Sequence, residues 1–529
     1  MGGGLMQLVS YGAQDIYISG NPQITFWKVL YKRHTNFAVE SIEVTFNGQA
    51  DFNKRVTAVI NRNADLMYKT YVQVVLPQID LTAGAGTFSA GGTAGFRWLN
   101  YIGHRLIKQV EVEIGGQRID RQYGDWMQIW TQLSTDAGTI TALDSIIGNT
   151  HDLVLLKRAT GLGLDATCAA NETTISCVPR KGTPPKTLYI PLQFWFCRNP
   201  GLAIPLIALQ YHEVRINVDF ETWQNSMYFE SAVGTAGNAG AAPTAQSLAA
   251  ASLYVDYVYL DTEERRRFAQ QSHEYLIEQV QYTGAESITS SSNKIQLNFN
   301  HPVKELFWVI QRDSFVDCSN QSWIASVGGP QPFNYSDDFS TEGLIMSLLS
   351  TAQVAGSQPA IPGATNLSVA TAFLGQGPLQ TSSLIGADAQ DLAGAQEFES
   401  GVNYLLAKVI LDSGIRCEGK NPVEVAKLQL NGQDRFTERE GAYFDKVQPF
   451  QHHSRTPSTG INVYSFALRP EEHQPSGTCN FSRIDKATLQ LTVSINTVVG
   501  SRTAQVRVYA LNYNVLRVMS GMGGLAYSN

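Results

Sequence analysis

Apolar and polar residues alternate with a period of two along much of this chain. "VEVEI" (110–114) and "VRINVDF" (214–220) place Val and Ile on one face and polar or charged residues on the other, the pattern of a half-buried strand. β-branched and aromatic residues dominate such stretches, as strands favour. Strands are predicted at 38–47, 54–61, 67–76, 107–115, 117–122, 187–196, 212–221 and 252–260. A second set is predicted at 275–282, 293–299, 305–311, 404–411, 424–431, 461–468, 487–495 and 504–511. Gly115-Gly116 in "IGGQRI" reads as a hairpin turn.

Helical periodicity is confined to short stretches. In "GNPQITFWKVLYKRH" (20–34), Asn21 is a predicted cap and Pro22 the first helical residue. Ile24, Trp27 and Tyr31 follow at helical spacing, and Lys32, Arg33 and His34 gather where the helix dipole favours cations. "LDTEERRRFAQQSH" (260–273) opens on Asp261 with Glu264 three residues on, a capping-box spacing. A further short helix is predicted around 125–134.

The two sets of strands repeat. "SIEVTFNG" (41–48) parallels "IEQVQYTG" (277–284), and "VEVEIGGQRI" (110–119) parallels "AKLQLNGQDRF" (426–436). "YIPLQFWF" (189–196) parallels "NVYSFAL" (462–468), and "YVDYVYLD" (254–261) parallels "QVRVYALN" (505–512). Each likeness is weak, but four in one order point to a duplicated unit. Eight antiparallel strands with long connections suggest a jelly roll. The predicted class is all-β: two consecutive eight-stranded antiparallel jelly rolls with short connecting helices. The predicted division is an arm and helix (1–35), a first roll (36–262), a linker helix (263–273), a second roll (274–514) and a tail (515–529). Pro200, Gly201 and Pro205 interrupt the apolar "RNPGLAIPLIALQYHEV". It is predicted to turn there, with Leu202, Ile204, Leu206, Ile207 and Leu209 plugging one end of the first sandwich. "LRPEEHQPSGTCNFSRIDKATL" (468–489) holds the same place in the second.

Composition narrows the function classes. Charged residues are 16% and aromatic residues 10%, with 45 glycines and 20 prolines, which suits strands joined by turns. The net charge is −7 and no basic block stands out, so direct nucleic-acid binding is not expected. No run long enough for a transmembrane helix is present. The opening lacks a basic start followed by an apolar core, so a secretory signal is not expected. It also lacks the Ser or Thr that a myristoylation signal wants at Met6. Cys168, Cys177, Cys197, Cys318, Cys417 and Cys479 form no CxxC pair and are expected as free thiols. Stretches 81–96, 231–252 and 351–398 are low in complexity and read as long surface loops.

Motifs that would carry chemistry fail on context. "GIRCEGKN" (414–421) lacks the Ser or Thr of a phosphate loop, and Pro422 stands where its helix should run. "GMGGLA" (521–526) has no helix after it to meet a pyrophosphate. His452-His453 are neighbours that an extended segment would point to opposite faces, and the spacing of a cupin metal site is missing. His212 and His273 read as solvated or hydrogen-bonded residues at strand starts. No cofactor or metal is expected. Asn171, Asn320, Asn334, Asn366 and Asn480 carry the acceptor pattern for N-linked glycans.

Longer strings resemble a known family. They include "GGLMQLVSYGAQDIYISGNPQITFWKVLYKRHTNFAVESI", "VEIGGQRID", "NPGLAIPLIALQYHEV", "VDYVYLDTEERRRFAQ", "LQLNGQDRF", "QPSGTCNFSRID" and "YNVLRVMSGMGGLAYSN". Together they closely resemble the major capsid protein of nucleocytoplasmic large DNA viruses, nearest to the chlorella-virus and algal-virus branch. Residues 81–97, 134–186 and 313–403 depart from it. The resemblance implies a double jelly roll and a trimer whose six rolls form a pseudo-hexameric capsomer. It further implies an icosahedral shell around an internal membrane, assembled in the host cytoplasm, with no enzymatic activity. The partners it implies are further copies, minor capsid and penton proteins, and the membrane near the N-terminal segment. The alternative is a tandem jelly-roll, lectin-like carbohydrate-binding protein, which would need an exposed aromatic or carboxylate cluster.

Overall fold

The computed structural model describes residues 3–24, 26–27, 31–80, 95–154, 157–160, 176–179, 182–232, 235–236, 246–316, 329–338, 419–498 and 502–527. The first sandwich uses β1 (Phe37–Val44), β2 (Arg55–Val59), β3 (Leu66–Leu76), β4 (Ile107–Ile114), β5 (Gln117–Tyr123), β6 (Lys186–Pro191), β7 (Val214–Phe220) and β8 (Ala250–Leu260). Its sheets run β1-β8-β3-β6 and β2-β7-β4-β5. The second uses β9 (His273–Ile288), β10 (Ser292–Leu297), β11 (Pro302–Arg312), β12 (Val423–Leu430), β13 (Gln433–Asp434), β14 (Ile461–Ser465), β15 (Ala487–Val493) and β16 (Ala504–Met519). Its sheets run β9-β16-β11-β14 and β10-β15-β12-β13. Adding eight to each strand number of the first sandwich yields the second. All these pairings are antiparallel, and the strand order is that of a jelly roll. The four sequence parallels fall on equivalent strands.

Alternation builds each core. Val214, Ile216, Val218 and Phe220 of β7 point inward with Val110 and Val112 of β4, and meet Val72, Val74, Leu253 and Val255 of the facing sheet. Leu306, Trp308 and Ile310 of β11 and Leu489 and Leu491 of β15 do the same in the second roll. The proline corner caps the first. Pro200–Leu202 and Leu206–Ala208 form 3-10 turns, and Ile204–Pro205 pairs with the start of β3. Leu202, Ile204, Leu206 and Leu209 are buried and Ile207 half-buried. The corresponding corner of the second roll is mostly polar, with Leu468 exposed and Pro470 and Phe481 buried.

Several predicted elements differ. The described residues of 20–34 form no helix; Asn21 has φ +51°, and Phe26 and Trp27 are 99% and 85% exposed. A helix this short is held by packing its apolar face, and these side chains have no surface to pack on. Short helices form instead at Gly3–Val9 and Ile16–Ser19. The strand predicted over 187–196 stops at Pro191, and Trp195–Arg198 turns helical. A strand would send Trp195 to the face opposite Phe194 and Phe196, whereas the turn buries all three. The stretch 515–529, read as a tail, carries β16 on to Met519 and folds back as Met522–Leu525, because Leu516 and Val518 enter the first roll's core. Loop-like sequence yields a small sheet of Gly95–Trp98, Met227–Ala232 and Thr235–Ala236, where Trp98 packs edge-on against Phe96 and Trp223. The predicted strand 404–411 lies outside the described residues. The helix Thr262–Gln270 joins the rolls; Asp261 caps it through the Thr262 amide at 2.8 Å, and Arg265 pairs with Asp65 at 3.0 Å.

Candidate functional site: the seam between the rolls

A helix at Gly124–Ser134 follows β5 directly. Gly124 is required there, since a Cβ would lie 2.2 Å from the His104 carbonyl oxygen and 2.4 Å from that of Ile107. Met127 reaches down into the first roll's core. Trp126, Ile129, Trp130 and Leu133 turn the other way and cover the outer face of the β9-β16-β11-β14 sheet. Trp126 lies edge-on to Phe307 at 5.0 Å and tilted to Tyr509 at 5.7 Å. A buried tryptophan removes about 150–250 Å² from water, roughly 4–6 kcal/mol at about 25 cal/mol per Å². Polar contacts set the register. The Val280 amide donates to Asp120 Oδ1 at 3.0 Å, the Ser458 hydroxyl to Gln132 Oε1 at 2.6 Å, and the Arg455 amide to the Leu133 carbonyl at 3.1 Å. Arg507 also pairs with Asp125.

Charges are buried in the same seam. Arg198, from the turn before the proline corner, donates to Glu278 Oε2 at 2.9 Å and stacks 4.2 Å from the Trp130 ring centre. Lys304, whose side chain is 1% exposed, donates to Glu278 Oε1 at 2.5 Å and to the Pro470 carbonyl at 2.6 Å. Burial pushes the basicity of both cations down, and Glu278 opposes the shift. Asp120 is pushed up to about 7 by burial, against the hydrogen bond from Val280. His453, its side chain fully enclosed, lies 3.0 Å from Glu305 and 2.9 Å from Glu471. Burial alone would lower its basicity, but the two carboxylates win and raise it to about 9.

Of these residues sequence reasoning singled out only His453, as one of a neighbouring pair. The available signal was "PVKELFWVIQR" (302–312), a strand apolar on both faces yet carrying a Lys-Glu pair. A strand apolar on both faces belongs to a sheet covered on both sides. His452 and His453 do part company: His452 Nδ1 lies 3.1 Å from the Leu468 carbonyl oxygen. His212 Nδ1 lies 2.9 Å from the Gly523 carbonyl oxygen, and His273 Nε2 2.9 Å from that of Phe268. "GMGGLA" forms the closing hairpin strand. Among the described residues no helix is long and apolar enough to cross a membrane. Cys197 and Cys479 are free thiols, and burial raises Cys197 to about 11. Cys168, Cys318 and Cys417 lie outside the described residues, and so does the Cys177 side chain.

Of the acceptor asparagines, Asn171, Asn320 and Asn366 lie outside the described residues. Asn480 is exposed, with its side chain accepting from the Ser482 amide at 3.0 Å. Asn334 is half-buried in a turn. Its amide donates to Gln331 at 2.8 Å and to the Asp338 carbonyl at 2.9 Å, and its oxygen accepts from Ser336. Attachment of a sugar replaces one of the two N–H groups that make these bonds, so glycopeptide mapping is expected to find Asn334 unmodified. A sugar there would show that this turn opens.

The two rolls coincide with two family matches. Residues 25–261 match the "Major capsid protein N-terminus" and residues 264–524 the "Large eukaryotic DNA virus major capsid protein". The chain is 56% identical to the major capsid protein of Phaeocystis pouchetii virus and 53% identical to that of Chrysochromulina ericina virus, over all of each chain. Among solved structures it is similar to the chain in a quasi-atomic model of the PBCV-1 virus capsid. That likeness has a TM-score of 0.60 and 32% identity, covering 96% of this chain and 100% of that one. These matches leave the lectin-like alternative without support. Two jelly rolls of one strand order, each matched by a capsid family and both continuous with full-length relatives, place this chain in the major capsid protein family of large eukaryotic DNA viruses.

Proposed function

We propose that this chain is the tile of an icosahedral virion shell, three copies forming a pseudo-hexameric capsomer around an internal membrane. The observation that carries this is the identical strand order of the two rolls: a three-fold assembly of two-roll chains presents six equivalent wedges, which pack a surface without gaps. A sandwich locked to its twin by buried tryptophans and charges suits a rigid tile with no enzymatic activity and no cofactor. The N-terminal arm, 1–35, would reach minor capsid proteins and the membrane. Its exposed Leu8, Tyr17, Ile24, Phe26 and Trp27 form apolar surface of the kind that marks an interaction site. Penton proteins would be further neighbours, with assembly in the host cytoplasm and no direct contact with DNA. Native mass spectrometry of the purified protein is expected to give three times the 58.0 kDa chain mass. A monomer persisting at micromolar concentration would overturn the capsomer.

A further inference from the structure

The seam helix has a counterpart in the second roll, and among the described residues that counterpart leaves its outward apolar side chains exposed. After β12 and β13 the chain enters the helical turns Tyr443–Val447 and Gln448–His452, at the position the seam helix occupies after β4 and β5. The two superimpose in sequence as "GDWMQIWTQL" (124–133) and "GAYFDKVQPF" (441–450). Each begins with a glycine pressed on the start of the equivalent strand. A Cβ at Gly124 would lie 2.4 Å from the Ile107 carbonyl oxygen of β4, and one at Gly441 1.8 Å from that of Val423 in β12. Met127 and Phe444 each enter their own roll's core. Gln128 and Asp445, and Thr131 and Gln448, are buried in both. The copies differ most at three positions. Ile129, Trp130 and Leu133 are buried on the second roll, whereas Lys446, Val447 and Phe450 face outward; Val447 is 40% and Phe450 81% exposed.

The sheet that would receive them is also open. The seam helix covers β9-β16-β11-β14, where Phe307 and Tyr509 are cross-strand partners on the central pair. The equivalent sheet, β1-β8-β3-β6, carries Tyr71 and Tyr254 as cross-strand partners on its central pair. Their rings stack at 5.2 Å, and Tyr189, 41% exposed, lies edge-on to Tyr71 at 5.9 Å. Glu43 pairs with Tyr254 at the rim, a carboxylate for the Lys446 ammonium to meet.

We infer that the helical turns at 443–452 dock on the outer face of the β1-β8-β3-β6 sheet of a second copy, repeating between chains the contact made within one. The two surfaces are different, helical turns on one copy and a sheet face on the next, so the contact is head-to-tail. Alternating it with the internal seam gives a ring of rolls, which closes at three copies where six such contacts complete the turn. This rests on the capsomer reading and names the surfaces that would make it.

The test is Phe450→Asp and, separately, Tyr189→Asp in the full chain, with mass read by light scattering and folding by melting temperature. Both side chains are exposed in one chain, so each variant is expected to melt cooperatively as a folded chain, below wild type only by what the trimer contacts add. Each is expected to lose trimer by roughly tenfold or more at equal concentration, since docking would bury an unpaired carboxylate. Folded variants that trimerise as wild type does would overturn this interface and leave the capsomer standing. A wild-type chain that stays monomeric would overturn both.

Discussion

Glu278→Ala is expected to destabilise the folded chain by about 3–5 kcal/mol, the usual cost of removing one partner from a buried ion pair. The loss is large because of what remains. Lys304 is enclosed, it keeps a hydrogen bond to the Pro470 carbonyl, and its ammonium loses the carboxylate that opposes its desolvation. Arg198 loses its one side-chain acceptor and keeps its stacking on Trp130. Adding Lys304→Met to the alanine variant is expected to recover part of the loss, because an apolar group of similar length needs no partner there. Denaturant unfolding of wild type, single and double variants measures this. As a reference, Glu213→Ala removes the exposed pair with Arg215 and is expected to cost about 1 kcal/mol or less. A Glu278 variant no weaker than that reference would mean the seam tolerates a lone cation, against the reading of it as closed.

Alkaline pH should loosen the same seam. His453 titrates near 9 in the folded chain and near 6.5 when unfolded. Between these values the folded state holds a proton that the unfolded state lacks, so stability falls as pH rises. The contribution is complete below pH 6.5 and is lost as pH climbs through 9, amounting to about 3 kcal/mol. Asp120, titrating near 7, shifts stability in the same direction but mostly below this window. Unfolding midpoints from pH 6.5 to 9 should therefore decline in wild type. His453→Gln should be weaker at pH 6.5 and decline less. Parallel curves for the two proteins would remove His453 as the cause.

These two effects lie in a region that local pattern describes poorly, and the contrast is instructive. The jelly rolls were legible because each strand carries its own instruction: period-two alternation in "VRINVDF" or "VEVEI" states which face is inward wherever the strand sits. Duplication was legible because equivalent strands keep that pattern and the turn chemistry of "GGQR" and "NGQD". The linker helix announced itself through Asp261, a contact made between neighbours in the chain. By contrast, "NPQITFWKVLYKRH" has helical spacing, but among the described residues Phe26 and Trp27 are left almost wholly exposed, and periodicity does not reveal whether a partner surface is there. "QFWFCR" leaves its strand because three aromatic side chains bury together, a demand set by the space around them.

The seam depended most on tertiary structure. Asp120, Arg198, Glu278, Lys304, Glu305, His453 and Glu471 come from across the chain, and singly each reads as an ordinary polar residue of a strand or loop. Their burial, and hence their altered acidities, exists only once β9 and β11 lie under the helix from the other roll. The sequence by itself determined two sandwiches of one kind, through the repeat, and the family. Only the tertiary structure decided which outer faces are covered, by which side chains, and with what charges between them, because desolvation depends on every group that surrounds a site and not on the chain neighbours that local pattern records.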